Sequence, residues 1–257
     1  MTAGIQPIIY QLFGREGWQT VDAAVIQERT VCLHVNGQAL TAFMCTPMDL
    51  EALALGFLRA EGLIAGLADV ALVELIHGGA CLDVWLRGDV TLPDWAIRTS
   101  GCSGGVTFDD LTAQRDPLPP GPPVMAQQII DRYFDLRQAE TLYPLSRGVH
   151  ASALATPDRL LLVAEDVGRH NTLDKLWGMA MQQEIDPTGC LILTTGRISA
   201  EMLGKATKMG VPIIASRTSP TSRSLVLAAA WHMAVIGYIR RDSFRLYTAG
   251  QRIVGSG

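Results

Sequence analysis

The chain has 257 residues, of which 48% are hydrophobic and 18% are charged, and its formal net charge is −4. A sequence of this length and composition can fill the core of one large domain or two modest ones, which excludes wholesale disorder. The acidic balance argues against broad nucleic-acid binding, because that activity needs a basic surface.

The longest apolar stretch, residues 225–239, is short for a membrane span and is predicted to form a core helix. The N-terminus lacks the basic start and long apolar run of a signal peptide. We therefore expect a cytoplasmic protein that binds neither nucleic acid nor a membrane.

Five cysteines are spread widely along the chain. An odd number at wide spacing is not typical of a disulfide framework, so reduced thiols are predicted. Four of the cysteines stand among apolar residues and are predicted to be small core residues: Cys32, Cys45, Cys81 and Cys190.

The predicted elements of the N-terminal part mix strands with one helix. Asn36 and Gly37 are typical of a hairpin turn, here between two strands of residues 30–46. Apolar residues at helical spacing then predict a helix that ends at Gly62. The remaining elements are strands at residues 70–76 and 81–86 and a glycine-rich loop at residues 98–105.

A segment rich in proline and glycine, residues 116–123, divides the chain, because proline ends helices and central strands. We expect a smaller N-terminal α+β domain over residues 1–120 and an α/β domain with a mixed sheet over residues 121–257. The second domain is predicted to contain a helix, a hairpin, three strand–loop–helix units and a closing strand. The helix is at residues 124–143, the hairpin at 150–166, the units at 160–183, 190–209 and 211–239, and the closing strand at 243–248.

Cys102 differs from the other cysteines because its neighbours are Gly101, Ser103, Gly104 and Gly105. This loop has no apolar side chain to bury the sulfur, and its glycines let the backbone bend freely. An exposed, mobile thiolate suits a sulfur carrier, which must visit a donor and an acceptor. An incidental surface cysteine is the alternative. A zinc site at Cys102 is disfavoured, because no second cysteine or histidine follows at ligand spacing.

Each strand–loop–helix unit places its loop at the carboxyl end of a strand, where ligands bind in open α/β sheets. Arginine forks and helix N-termini both favour phosphate oxygens, so a phosphate-rich ligand is predicted if the loops converge. The alternative is that the arginines are solvated surface groups and that the hydroxyl groups of the loops are ordinary helix caps. Glu165 and Asp166 are either general acid–base groups or, more commonly, acids that suit a helix N-terminus. The loop residues predicted to bind are Arg169, His170, Arg197, Arg217 and Arg223.

Several familiar motifs are missing from the sequence. No G-x-G-x-x-G or H-E-x-x-H occurs, and residues 196–205 fail the spacing of a P-loop. At residues 150–152, serine stands where the H-x-E motif of zinc deaminases needs glutamate. No metal site is therefore predicted.

Five stretches form a highly specific set that is spread over the chain from Arg98 to Ile253: RTSGCSGG, HASALA, EDVGRHNTLDKLWG, LTTGRISAEMLGKATKMGVPIIASRTSPTS and FRLYTAGQRI. In this order they resemble the FdhD family, the sulfur carriers needed for formate dehydrogenase activity. The first hundred residues match that family more loosely.

The resemblance implies a carrier that takes a persulfide from a cysteine desulfurase on Cys102. The sulfur would pass to the bis-molybdopterin guanine dinucleotide molybdenum cofactor before its insertion into formate dehydrogenase, and GDP is the expected mimic of this cofactor. A homodimer with a cytidine-deaminase-like C-terminal domain is also implied. The family's cofactor-binding segment falls on Phe244, Arg245, Leu246, Tyr247, Thr248 and Ala249.

One departure concerns the glycine-rich loop, where many members of that family carry C-x-x-C. Gly105 stands at the second position here, so a disulfide within the motif is unavailable, and a single persulfide on Cys102 is sufficient. Two alternatives stay open. One is a chaperone that binds the cofactor while Cys102 is incidental, and the other is a deaminase-type hydrolase.

Overall fold

A computed structural model describes residues 3–93, 97–98, 106–108 and 115–255. Cys102 and Gly105, with the rest of the loop between them, lie outside these residues. For residues 97, 98 and 106 the backbone alone is described.

The described residues form both helices and strands. The helices are Leu50–Ala60 (α1), Ala126–Ala139 (α2), Tyr143–Ser146 (α3), Arg169–Gln182 (α4), Ala200–Lys208 (α5) and Ser222–Ala230 (α6). The strands of the first half are Ile5–Gly14 (β1), Gly17–Ile26 (β2), Arg29–Val35 (β3), Gln38–Cys45 (β4), Val70–Ile76 (β5), Cys81–Leu86 (β6), Ile97–Arg98 (β7) and Val106–Thr107 (β8). Those of the second half are Val124–Met125 (β9), His150–Ala155 (β10), Leu160–Asp166 (β11), Leu191–Thr194 (β12), Ile213–Ser216 (β13), Ala234–Gly237 (β14), Arg245–Leu246 (β15) and Ile253–Val254 (β16).

The C-terminal part is built on a six-stranded sheet in the order β11-β10-β12-β13-β14-β15. Strands β12, β13 and β14 are parallel, with Leu191 opposite Ile213 and Ile213 opposite Ala234. Strand β10 runs antiparallel to both β11 and β12, and β15 runs antiparallel to β14. The prediction of an α/β architecture with a mixed sheet is therefore confirmed.

Helices cover both faces of this sheet. Leu154 and Ile192 face α4, α5 and α6, whereas their chain neighbours Ala153 and Leu193 face α2. This alternation follows from the two-residue period of a strand. All four side chains are fully buried, so the sheet is the middle one of three layers.

A four-stranded sheet in the order β4-β3-β6-β5 forms the N-terminal part. Val31, Leu33 and Val35 of β3 are buried in the cluster that includes α1, since alternate residues of a strand share a face. The predicted hairpin turn is confirmed, because Asn36 and Gly37 have the positive φ values of 51° and 75° that a two-residue turn needs.

Strands β1 and β2 form a long hairpin that the sequence did not predict. They pair without a register shift from Ile5 and Ile26 to Gly14 and Gly17. The hairpin exposes large apolar side chains, which is typical of a surface that meets another protein. The most exposed are Ile9 at 66%, Phe13 at 67% and Trp18 at 70%.

Helices α1 and α4 cross with their backbones in contact and so join the two parts of the chain. A Cβ atom on Gly56 would overlap the carbonyl oxygen of Asp174, and one on Gly178 would overlap that of Ala52. Only glycine permits so close an approach. The domain boundary near residue 120 stays a prediction.

The predicted helix over residues 223–239 is wrong in its second half. Helix α6 ends at Ala230, His232 has a φ of 56°, and Ala234–Gly237 is strand β14. The core helix expected over residues 225–239 is therefore also wrong beyond Ala230. An apolar run that is buried on every side has no periodicity that distinguishes a helix from a strand. Among the described residues, no helix is long and apolar enough to cross a membrane.

The prediction of reduced thiols is wrong for Cys32 and Cys81, which form a disulfide between β3 and β6. The two cysteines are 49 residues apart in the sequence, so their spacing does not indicate that they pair. Cys45 and Cys190 are free and buried, as predicted. Burial raises the pKa of Cys45 to about 12 and also raises that of Cys190, so both thiols stay protonated.

Candidate functional site

Four strand ends meet at one edge of the six-stranded sheet. Strands β11, β12, β13 and β14 run in the same direction, because β10 is antiparallel to both of its neighbours. The segments that follow these strands are residues 167–169, 195–199, 217–223 and 238–245, and we call them the rim. The predicted arginines all belong to the rim, and His170 directly follows its first segment.

The first and second segments of the rim are in contact. A Cβ atom on Gly196 would lie 2.9 Å from the Cβ of Arg169 and 3.5 Å from Nδ1 of His150. Oγ1 of Thr195 lies 3.5 Å from the same histidine nitrogen. Gly196 therefore leaves the space into which Arg169 fits.

The second and third segments are held side by side by backbone hydrogen bonds. The N–H of Ile198 donates to the carbonyl of Ser219 at 3.3 Å, and the N–H of Thr221 donates to the carbonyl of Ile198 at 3.0 Å. These bonds keep the exposed residues Arg197 and Arg217 on neighbouring strand ends.

The fourth segment lies against the third. The N–H of Tyr238 donates to the carbonyl of Thr218 at 3.2 Å, and the guanidinium of Arg240 donates to the carbonyl of Arg217 at 3.3 Å. The guanidinium of Arg245 stacks 4.2 Å from the ring centre of Tyr238. The four segments thus form one continuous surface.

The rim is strongly cationic. Its only acidic residue is Asp242, against seven arginines. The N-termini of α5 and α6 also open onto it, and each adds the positive end of a helix dipole. Ser199 and Thr221 are the N-caps of these helices, as the alternative interpretation of the hydroxyl groups predicted. The arginines are Arg169, Arg197, Arg217, Arg223, Arg240, Arg241 and Arg245.

His170 is buried below the rim, with Nε2 at 3.0 Å from Oγ of Ser199. Burial lowers the pKa of His170 to about 2, and the positive charges of Lys205 and Arg169 add to this shift. The pKa of His150 is lowered in the same way, first by burial and then by Arg169. Both imidazoles are therefore neutral.

The predicted cofactor-binding segment, residues 244–249, is only partly exposed. Phe244 and Ala249 pack against the core on the α2 side of the sheet. The hydroxyl of Thr248 donates to the carbonyl of Met233 at 2.7 Å. The exposed members of the segment are Arg245, Leu246 and Tyr247.

The carboxylates of Glu165 and Asp166 form hydrogen bonds and an ion pair with neighbouring parts of the fold. The carboxylate of Glu165 accepts the N–H of Thr141 at 2.8 Å. Asp166 pairs with Lys175 at 2.7 Å, with both side chains fully buried, and also accepts the N–H of Thr46 at 3.1 Å. Because Thr46 follows β4, Asp166 ties the end of the N-terminal sheet to the rim end of β11.

Cys102 lies outside the described residues, but the structure places both sides of its loop. Strands β7 and β8 pair antiparallel and form the stem of this loop. The carboxylate of Glu61 accepts the hydroxyl of Thr107 at 3.0 Å and the N–H of Phe108 at 2.7 Å. Glu61 is the C-cap of α1, so the stem is anchored to the helix that crosses α4.

The sequence profile of the FdhD/NarQ family matches residues 26–254 of the chain. The chain belongs to the FdhD/NarQ family. Its membership accounts for the five specific stretches, since all of them fall within the matched residues.

Several named relatives of this FdhD/NarQ chain are similar over nearly their whole length. The sulfur carrier protein FdhD of Geobacillus kaustophilus (strain HTA426) is 32% identical over 234 residues, which cover 88% of this chain and 89% of the relative. That of Streptomyces coelicolor (strain ATCC BAA-471 / A3(2) / M145) is 32% identical over 249 residues, 89% of this chain and 88% of the relative. A crystal structure from Desulfotalea psychrophila, described as a formate dehydrogenase accessory protein, has a TM-score of 0.80 at 25% identity, and the match covers 98% of this chain and 100% of that one.

In this FdhD/NarQ chain the loops that carry Arg169, Arg197 and Arg217 do converge, which was the condition for predicting a phosphate-rich ligand. Their part in binding stays a prediction. Sequence reasoning missed His150 and Arg240. His150 begins an antiparallel strand, so its place beside the parallel strand ends follows only from the strand order. Arg240 follows β14, which was predicted as helix.

Proposed function

We propose that this FdhD/NarQ chain is a sulfur carrier and sulfurtransferase. Cys102 takes a persulfide from a cysteine desulfurase, and the sulfur goes to the bis-molybdopterin guanine dinucleotide molybdenum cofactor, which is the substrate and is destined for formate dehydrogenase. The names of the relatives support sulfur carriage, and that of the similar structure supports a link to formate dehydrogenase. The observation that carries the proposal is the convergence of arginine loops at the rim, because a ligand with two guanine nucleotides brings several phosphates.

The first chemical step is an exchange at sulfur. The Cys102 thiolate attacks the outer sulfur of the desulfurase persulfide, the sulfur–sulfur bond of the donor breaks, and the donor cysteine leaves as a thiolate. Cys102 then carries the outer sulfur as a persulfide. No second loop thiol is needed, which agrees with the glycine at position 105.

The position of the loop stem supports transfer from Cys102 to the rim of the same chain. Thr107 is held by Glu61, whose carboxylate interacts with the charge of Lys205 on α5. Lys205 follows Ser199 at the rim by six residues, which is about 9 Å of helix. Five residues separate Thr107 from Cys102, and a chain of that length spans up to about 17 Å when extended. This reach is comparable with the separation along α5 and supports delivery to a ligand on the rim.

The proposal includes a cytidine-deaminase-like topology for the C-terminal part, a homodimer and a cytoplasmic location. The strand order β11-β10-β12-β13-β14, with β10 antiparallel to its neighbours, supports the topology. The exposed apolar side chains of the β1–β2 hairpin support association with a second copy.

A persulfide on Cys102 is the first expected result. After incubation with a cysteine desulfurase and cysteine, mass spectrometry of the digested protein should find one added sulfur atom on the peptide of Cys102, and a dithiol should remove it. The peptide of Cys190 is an internal control, because burial raises the pKa of its thiol and keeps it protonated. No added sulfur on Cys102 would favour the cofactor-binding chaperone.

Weaker binding of GDP is expected when rim arginines lose their charge. Arg197→Gln and Arg217→Gln should each lower the affinity about tenfold, since a hydrogen bond to a charged group contributes about 1.5–3 kcal/mol. Isothermal titration calorimetry measures this change. Arg159→Gln is the matched control, because Arg159 is exposed in the β10–β11 turn at the opposite edge of the sheet. Wild-type affinity in both rim variants would count against the rim as the phosphate site.

A further inference from the structure

The face of the N-terminal sheet that points away from α1 carries an unusual set of donor atoms. Cys32 and His34 alternate with the buried core residues of β3, so both side chains project from this face. Cys81 is the register partner of Cys32 on the parallel strand β6, with their Cα atoms 4.4 Å apart. The two cysteines and the histidine therefore converge, although they come from distant parts of the sequence.

The ligand atoms of Cys32, His34 and Cys81 all lie within 4.8 Å of one another. When two thiolates and an imidazole bind a zinc ion, their sulfur and nitrogen atoms lie roughly 3.5–4 Å from one another. This follows because the metal lies about 2.3 Å from sulfur and about 2.0 Å from nitrogen. Side-chain rotation alone can bring the three atoms into that arrangement once the two sulfurs are no longer bonded. A disulfide by itself makes no use of the imidazole.

Small residues and a carboxylate neighbour the three side chains. On the neighbouring strand β4, the register partners of Cys32 and His34 are the small residues Ala42 and Ala39. On β6, the register partner of His34 is Asp83, whose carboxylate accepts the N–H of Gly37 at 3.2 Å. A carboxylate beside a metal-binding histidine is a common partner in such sites.

We propose that Cys32, His34 and Cys81 form a redox-gated site for a thiophilic divalent cation of the zinc class. A dithiol reduces the Cys32–Cys81 disulfide by two electrons and two protons and is itself oxidised to a disulfide. The cation then displaces the two thiol protons to solvent and binds two thiolates and the imidazole, with a fourth position left for water. In the reverse direction a small-molecule disulfide takes two electrons from the two thiolates and, with two protons from solvent, is reduced to two thiols, while the Cys32–Cys81 bond forms again and the cation is released. This site uses none of the rim residues, and it does not depend on the proposed sulfur transfer.

Cobalt(II) is the probe, because its thiolate complexes absorb in the near ultraviolet and visible range and zinc displaces it. The full-length protein with Cys102→Ala is titrated after reduction by a dithiol and removal of the reductant. We expect one cobalt ion per chain, with thiolate-to-cobalt charge-transfer bands that zinc abolishes. The same protein with the disulfide intact is expected to show none of these bands, and this comparison needs no change that could impair folding.

Substitutions of the three side chains test which of them bind the metal. Cys32→Ser and Cys81→Ser should each weaken the charge-transfer bands, and His34→Ala should lower the affinity for cobalt by about tenfold or more. Cys190→Ser, which removes a buried cysteine of the other sheet, should leave the bands unchanged. The proposal is overturned if the reduced protein at saturating cobalt lacks the bands, or if they persist in the Cys32→Ser, Cys81→Ser double variant.

Discussion

Replacing Cys102 with alanine is expected to abolish the activation of formate dehydrogenase, while the protein still folds and binds GDP. The persulfide needs a sulfur atom at this position, and with Gly105 in the loop no neighbouring thiol can replace it. The measurement is formate dehydrogenase activity in cells that lack their own copy of the protein and carry the variant. Circular dichroism and GDP affinity of the purified variant establish that fold and rim are intact.

The matched control for this prediction is Cys190→Ala. It also removes one sulfur, but from a thiol whose pKa burial raises, so it should leave activation at the wild-type level. Full activation by Cys102→Ala would end the sulfur-carrier proposal and leave the chaperone as the better explanation.

Gly178→Ala is expected to cause a large loss of stability. The new methyl group would overlap the backbone carbonyl of Ala52, and backbone cannot move aside as a flexible side chain can. Separating α1 from α4 should cost about 3 kcal/mol or more, despite the better helix propensity of alanine. For a domain of this size, that loss lowers the melting temperature by roughly 6–12 °C.

Gly88→Ala is the control for this substitution. No atom lies within 4 Å of a Cβ on Gly88, so the melting temperature should stay within about 2 °C of the wild type. Gly56→Ala should reproduce the large effect from the other side of the crossing. A Gly178→Ala protein that melts at the wild-type temperature would show that the two helices tolerate separation.

Much of this architecture could be predicted from local signals. Asn36 and Gly37 mark a turn that needs positive φ, and the helix predicted to end at Gly62 is confirmed as α1. The three strand–loop–helix units indicated loops on one edge, because the strands of such units are parallel. Four arginines of the rim, Arg169, Arg197, Arg217 and Arg223, were therefore found before their contacts were known.

The missed features depend on contacts that sequence spacing does not reveal. Strand β14 was taken for helix because its four residues are buried on every side and only three residues separate it from α6. The pairing of Cys32 with Cys81 depends on the parallel register of β3 and β6. His150 reaches the rim only because β10 runs against its neighbours.

The contacts between α1 and α4 have a geometric consequence for the proposed sulfur delivery. Helix α4 begins at the rim with Arg169, and α1 ends at Ala60, directly before Glu61, which holds Thr107 at the base of the loop that contains Cys102. The glycine-lined crossing, together with contacts such as that of Asp166 with Thr46, therefore positions the base of this loop against the rim. We expect changes in the length of the proline-rich connection at residues 116–123 to disturb the proposed delivery less than changes at this crossing.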